Sequence, residues 1–212
     1  MKLYSAPLSP FAARVRLSIY RKDLDIEILP PPAGGTRGDA YLALNPMGQI
    51  PLLVTDSGTT IPESATIIEY LEDVFPTPSL RPAKPEDLAR ARLFLRLPDI
   101  YFENAPRTLL QMRDPTKRDP ALVEKAMASL NRGLGFIDHF IDPVPWAVGG
   151  APSIADSALV PVMNAVSLVG MVYAQPDLIS QYPRLGAYWS IAREEGINAR
   201  VIGEQLAAIP PL

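Results

Sequence analysis

Residues 76–87, PTPSLRPAKPED, split the chain into two textures, and that break constrains the fold more than any other feature. The stretch holds four prolines. Proline lacks the backbone N–H that helices and inner strands need, so the segment reads as an extended linker. Before it, short strand-like pieces alternate with helical ones. KLYS (Lys2–Ser5) and LDIEIL (Leu24–Leu29) are strand-like, and PLLVTDSGTTI (Pro51–Ile61) is a hairpin turning at Asp56–Gly58. After Pro10, the residues Phe11, Val15 and Ile19 repeat every four positions, as on one helix face. DAYLALN is a short helix ending at Asn45–Pro46, and Glu63–Phe75 places Ile67, Ile68, Leu71, Val74 and Phe75 at helical spacing. The order is β-α-β-α-β-β-α. Beyond the linker the pattern is helical only, over Asp87–Met112, Pro120–Ile141, Ile154–Val172, Asp177–Gln181 and Pro183–Glu195. The expected organisation is an α/β domain over 1–77, a linker over 78–86 and an all-helical domain over 87–212.

Composition removes whole classes of chemistry. The chain has no cysteine, which excludes disulfides, cysteine nucleophiles and thiolate metal sites. It has one histidine, His139, so a histidine metal centre or a Ser-His-Asp triad is not expected, and no metal is assigned. Catalysis must run on hydroxyls, carboxylates, guanidinium groups and backbone amides. A net charge of -3 offers no basic field for nucleic acid. No signal peptide is evident, and no apolar run approaches the ~20 residues of a membrane helix, so the expected location is the cytoplasm.

Four stretches carry chemistry. In LSPFAARVRLSI, Ser9 stands directly before Pro10 and a helical pattern. Its hydroxyl fits a helix cap, and equally an oxygen poised over a bound anion. In NPMGQIPLL, Pro51 opens a strand. About 5–6% of X-Pro bonds are cis, so trans is the default; a cis bond would expose the backbone of Ile50 to an extended peptide. In PESATIIEYLED, Glu63 and Ser64 stand at a helix N-terminus, where free amides favour anions. A hydroxyl donor beside a carboxylate acceptor suits the zwitterionic head of an amino acid, and capping is the alternative. SIAD (Ser153–Asp156) has the spacing of a capping box and belongs to folding. His139 is read as structural or surface.

Taken together, LYSAPLSPFAARVR, NPMGQIPLL, PESATIIEYLED and PSIADSALVP resemble the cytosolic glutathione transferase family, in order and spacing and over essentially the whole chain. The resemblance implies a thioredoxin-like N-terminal domain, an all-α C-terminal domain, a homodimer and a cis Ile50–Pro51 bond. It implies glutathione as co-substrate, with Ser9 as the catalytic hydroxyl donating to the thiolate. A free thiol has a pKa of about 8.5, so such a donor and the helix N-terminus behind it would favour the anion. Ser5 is the competing hydroxyl, and motif position favours Ser9; Tyr4 is read as packing. Ile50 and Pro51 would hold the cysteinyl unit, Glu63 and Ser64 the γ-glutamyl end, and Gln49 the glycyl end. Arg37 would neutralise the glycyl carboxylate, or is a solvated loop arginine. The second substrate is expected between the Pro7–Leu8 loop and the helix around Tyr101–Arg107. There Tyr101 and Phe102 would form an aromatic wall and Arg107 an anion partner; core packing is the other reading of Phe102.

Without cysteine, mixed-disulfide chemistry is closed, and serine points to thiolate addition, substitution or isomerisation. The leading expectation is a glutathione transferase acting on a small hydrophobic electrophile. The alternatives are a glutathione-dependent isomerase, an ether-cleaving lyase on aromatic compounds, or a non-catalytic binding module. LNPMGQIP and RVR resemble maleylacetoacetate isomerases too. Against that stand a lone serine and Pro10, where those enzymes carry a small cluster of serines and cysteine.

Overall fold

The computed structural model describes residues 1–142 and 145–209. It divides into two units, Met1–Leu80 together with the helix from Gly196 onward, and Arg81–Glu195.

The first unit is built on β1 (Lys2–Tyr4), β2 (Glu27–Leu29), β3 (Leu52–Val54) and β4 (Thr60–Pro62), ordered β2-β1-β3-β4. β1 runs parallel to β2 and antiparallel to β3, and β3 is antiparallel to β4. The helices are α1 (Pro10–Arg21), the short α2 (Asp39–Leu42), α3 (Ser64–Val74) and, from the far end of the chain, α9 (Gly196–Ala207). Leu3, Leu52, Leu53, Val15, Ile19, Ile67, Ile68 and Leu71 are buried and form the core. The register fixes where function can sit. Tyr4 pairs with Leu29, Leu52 with Tyr4, and Pro62 with Leu52. The loops after β1, β2 and β4 and the segment entering β3 therefore all leave the sheet at one end.

α1 is buried over most of its length, Arg14 and Arg16 included, because α3 and α9 both pack on it. Helix α9 is absent from the sequence expectation, and its position corrects the predicted 87–212 domain. Its docking rests on polar pairs, Arg16 to Glu204 (3.0 Å), Tyr20 to Glu204 (2.9 Å) and Arg21 to Asn198 (2.7 Å), which hydrophobic periodicity cannot reveal. The predicted linker start is also corrected. Leu80 is buried, and its N–H donates to Glu72 Oε2 (2.9 Å). Lys22 donates to the Pro78 carbonyl and pairs with Glu72 at 2.8 Å, both side chains being buried. This pair ties residues 78–80 to the first unit, and the bonds before Pro51 and Pro78 are both cis.

The second unit contains α4 (Pro85–Tyr101), α5 (Ala105–Gln111), α6 (Pro120–Phe140), α7 (Ile154–Val172) and α8 (Pro183–Ala192). Asp119 caps α6, accepting from the N–H groups of Ala121 and Leu122. Ala126, Leu130, Gly133, Leu134 and Ile137 bury one face of that helix. The helical pattern over Asp87–Met112, interrupted in sequence by Pro98 and Pro106, is two helices. Pro98 sits inside α4, while Glu103 and Asn104 take positive φ (49° and 61°) and turn the chain before Pro106 starts α5. Asp177–Gln181 is a turn, closed by the Gln181 N–H on the Asp177 carbonyl. The expectation that no apolar run nears membrane length also needs correction. α7 is 19 residues and apolar enough by length and composition, but 83% of its apolar window is buried within the structure, as in the core helix of a folded domain.

Candidate functional site

At the shared end of the sheet, the chain after β1 turns into α1 at Ser9. Ser9 has extended backbone and is the N-cap, its Oγ accepting from the Ala12 N–H at 3.2 Å. A hydroxyl has one proton to give as well as lone pairs to offer, and among the described residues no protein atom takes the Ser9 proton. Ser9 is half-buried at the positive end of an α-helix. One hydroxyl can therefore cap the helix and still have a proton to donate. Ser5 differs: it is buried, and its Oγ accepts from Arg16 Nη1 at 2.7 Å.

The segment entering β3 is held by its own side chains. Tyr41 Oη (2.7 Å) and Asn45 Nδ2 (2.9 Å) both donate to the Gln49 carbonyl. Burial raises the Tyr41 phenol above its ordinary pKa, against a hydrogen bond to Asn45, and so keeps it a donor. Gln49 itself is exposed, Ile50 is half-buried and Pro51 is buried. The Ile50–Pro51 bond is cis. Among the described residues the Ile50 N–H and C=O make no backbone hydrogen bond, leaving an extended strip open to pairing.

Glu63 joins β4 to α3 with φ 70° and makes no capping bond through its side chain. A non-glycine residue held there costs about 1–3 kcal/mol, which the surroundings must enforce. Capping, the alternative for Glu63, is not what it does. Its exposed carboxylate and the uncapped first-turn amides of α3 present an acceptor and donors side by side. Ser64 is buried at the first helical position, with Arg14 Nη1 behind it at a long 3.5 Å. Arg37, exposed in the Gly35–Arg37 turn after β2, lies against Gly48. A β-carbon on Gly48, which has φ 60°, would come within 2.9 Å of Arg37 Nη1. The guanidinium thus borders the Gln49–Ile50 strip.

The structure thus brings Ser9, Gln49, Ile50, Pro51, Glu63, Ser64 and Arg37 to one end of one sheet. Pro7 and Leu8, both exposed, belong to the same unit. In the second unit Tyr101 is exposed and stacks edge-on against Phe136 at 5.0 Å, and Arg107 is exposed on α5. Phe102 is a correction to the aromatic-wall expectation. It is 2% exposed, packed where a β-carbon on Gly133 would lie 2.3 Å from its ring. His139 is exposed, its ring edge-on to Phe140. Tyr41, Asn45, Arg14 and Arg16 escaped the sequence reading as site supports. The available signal was the pair of arginines in RVR, two charges within an otherwise apolar helical stretch.

Residues 3–79 match the family described as glutathione S-transferase, N-terminal domain. Over 179 residues the chain is 35% identical to a maleylacetoacetate isomerase of Pseudomonas aeruginosa, covering 81% of this chain and 84% of that protein. It is 31% identical over 174 residues to a maleylpyruvate isomerase of Ralstonia sp., covering 78% and 82%. A holo structure of a maleyl pyruvate isomerase, described as a bacterial glutathione S-transferase of the Zeta class, aligns with a TM-score of 0.76 at 27% identity, covering 95% of this chain and 96% of that one.

Proposed function

The chain belongs to the glutathione S-transferase family, and from that premise we propose that it binds glutathione at the end of its sheet and catalyses a glutathione-dependent cis–trans isomerisation of a maleyl-type unsaturated acid. The observation that carries the binding reading is the open Ile50 backbone strip beside the uncapped start of α3. Ile50 pairs with the cysteinyl unit. The α3 amides and Ser64 take the γ-glutamyl carboxylate, and Glu63 accepts from its ammonium group. Gln49 and Arg37 hold the glycyl end. Ser9 donates its hydroxyl proton toward the sulfur, and the α1 N-terminus adds a favourable field. Bound glutathione supplies a thiolate that adds to the cis double bond and leaves again after rotation, so the trans product forms and glutathione is returned. The isomerase reading is supported by the two isomerases above, at 35% and 31% identity. The protein acts as a homodimer in this reading, of twice the 23.1 kDa chain mass.

A second reading, net conjugation of glutathione to a hydrophobic electrophile, is favoured by one feature of the chain. Ser9 is followed by Pro10, and the chain has no cysteine. One assay separates the two. A maleyl keto acid is incubated with the protein and a trace of glutathione, and both product geometry and free thiol are followed. Isomerisation gives many turnovers with the thiol conserved; conjugation consumes one thiol per product. Retention on immobilised glutathione with no turnover of either kind would overturn both in favour of a binding module.

A further inference from the structure

The loop that carries Ser9 is gripped from behind by a single guanidinium. Arg16, on α1, donates from Nη1 to Ser5 Oγ (2.7 Å) and to the Ala6 carbonyl (3.1 Å), and from Nη2 to the Pro7 carbonyl (2.9 Å). The Ala6 carbonyl also accepts from the Ser9 N–H at 3.1 Å. One oxygen therefore joins Arg16 to the residue proposed to face the sulfur. The Arg16 side chain is 4% exposed, so its charge needs a partner, and that partner lies 188 positions away. Glu204 Oε2 on α9 accepts from Arg16 Nε at 3.0 Å. The other oxygen, Oε1, accepts from Tyr20 Oη at 2.9 Å and faces Arg200 Nε at 3.5 Å. Arg200 in turn lies over the Tyr20 ring at 3.7 Å. The carboxylate is thus oriented before it meets Arg16.

We infer that Glu204 is a positioning residue for the glutathione site, acting through Arg16 to set the loop Ser5–Ser9. This deepens the functional reading above and rests on it for the chemistry. The physical reason is directional. A planar guanidinium makes fixed forked bonds, so whatever aims its Nε side also aims its Nη side. Losing Glu204 leaves a buried cation without its anion, and the guanidinium re-aims at the cost of its bonds to Ala6 and Pro7. A donor meant for a sulfur tolerates little displacement, since a shift of about 1 Å can cost about a hundredfold in rate.

Two measurements on Glu204→Ala, Glu204→Gln and Arg16→Lys test this, with thermal stability recorded alongside. The first is amide hydrogen exchange of residues 6–9 in the ligand-free protein. Glu204→Ala and Arg16→Lys should speed exchange of the Ser9 amide about tenfold or more, and Glu204→Gln, which keeps an acceptor for Nε, should speed it less. The second is the pKa of bound glutathione, read from thiolate absorbance. Glu204→Ala should raise it by about one unit, a tenfold loss of thiolate below that pKa, with glutathione affinity within about threefold of the parent. Exchange at the parent rate in all three variants would overturn the clamp. Faster exchange with an unchanged bound-thiol pKa would overturn its link to chemistry and reduce Glu204 to a strap for α9. Should Glu204→Ala fail to fold, Glu204→Gln and Arg16→Lys decide. Should the parent bind no glutathione, the functional reading falls, and the exchange arm still decides the clamp.

Discussion

Gly48 carries a demand that no other residue type meets without strain. Its φ is 60°, and a β-carbon there would sit 2.9 Å from both the Thr36 carbonyl and Arg37 Nη1. Gly48→Ala should therefore shift the Gln49–Ile50 strip and weaken glutathione binding about tenfold in titration calorimetry. Parental affinity would mean the strip is not the binding edge. Asp156 is the matching case for stability. It is fully buried and accepts from the N–H groups of Ala147 (2.9 Å) and Ser153 (2.8 Å) and from Tyr188 Oη (3.0 Å). Asp156→Ala removes the shared acceptor and should cost about 3 kcal/mol or more in urea unfolding; a loss under about 1 kcal/mol would contradict this. At this scale the sequence was informative where a residue's role is local. The Ser153–Asp156 capping box stands as spaced, because a separation of three positions fixes its geometry. Motif position alone favoured Ser9 over Ser5; the physical difference between them is Arg16, a turn or more further along α1, which holds the Ser5 hydroxyl.

Among elements, α6 shows why the sequence left Phe102 open between pocket wall and core. Gly133 opens the gap on α6 that the Phe102 ring fills, and nothing near Phe102 in sequence announces it. Gly133→Ala should drive the ring out and destabilise by about 1–3 kcal/mol without help from a rotamer change, because the clash is 2.3 Å. Unfolding at the parental midpoint would refute that packing. α3, α6 and α7 were legible from hydrophobic period to within a residue at their ends, whereas β2 begins at Glu27, three residues past the expected Leu24. α9 was not, since polar pairs to α1 dock it and Gly203 lies within it. The α4–α5 break was half legible. Pro106 marks where a helix starts, but the turn itself depends on the left-handed Glu103 and Asn104.

For the molecule as a whole, the chain divides at Leu80–Arg81, inside the proline-rich segment where the texture changes. The return of the last helix to the first unit was invisible, because tertiary pairing over 188 positions leaves no local mark. Asp142 contributes to acid stability. Burial pushes Asp142 up, but Arg90 (2.5 Å) and the Gly149 N–H (2.8 Å) outweigh it and hold the carboxyl below its ordinary range. A carboxyl whose pKa is lower folded than unfolded stabilises above the unfolded value, near pH 4, and loses that contribution as pH falls through the folded one. Asp142→Asn should cost under about 1 kcal/mol at neutral pH, the pair being partly solvated, and should narrow the stability gap between pH 7 and pH 3. An unchanged gap would remove Asp142 from the acid transition.

The proposed chemistry turns on one proton donor, and the pKa of bound glutathione measures it directly. Thiolate absorbance titrated on the parent, Ser9→Ala and Ser5→Ala should place the parent below the free-thiol value of about 8.5, with Ser9→Ala raised by about one unit or more and Ser5→Ala moved less. A Ser9→Ala titration that overlays the parent would contradict the assignment, and a larger shift in Ser5→Ala would transfer the role to the buried hydroxyl.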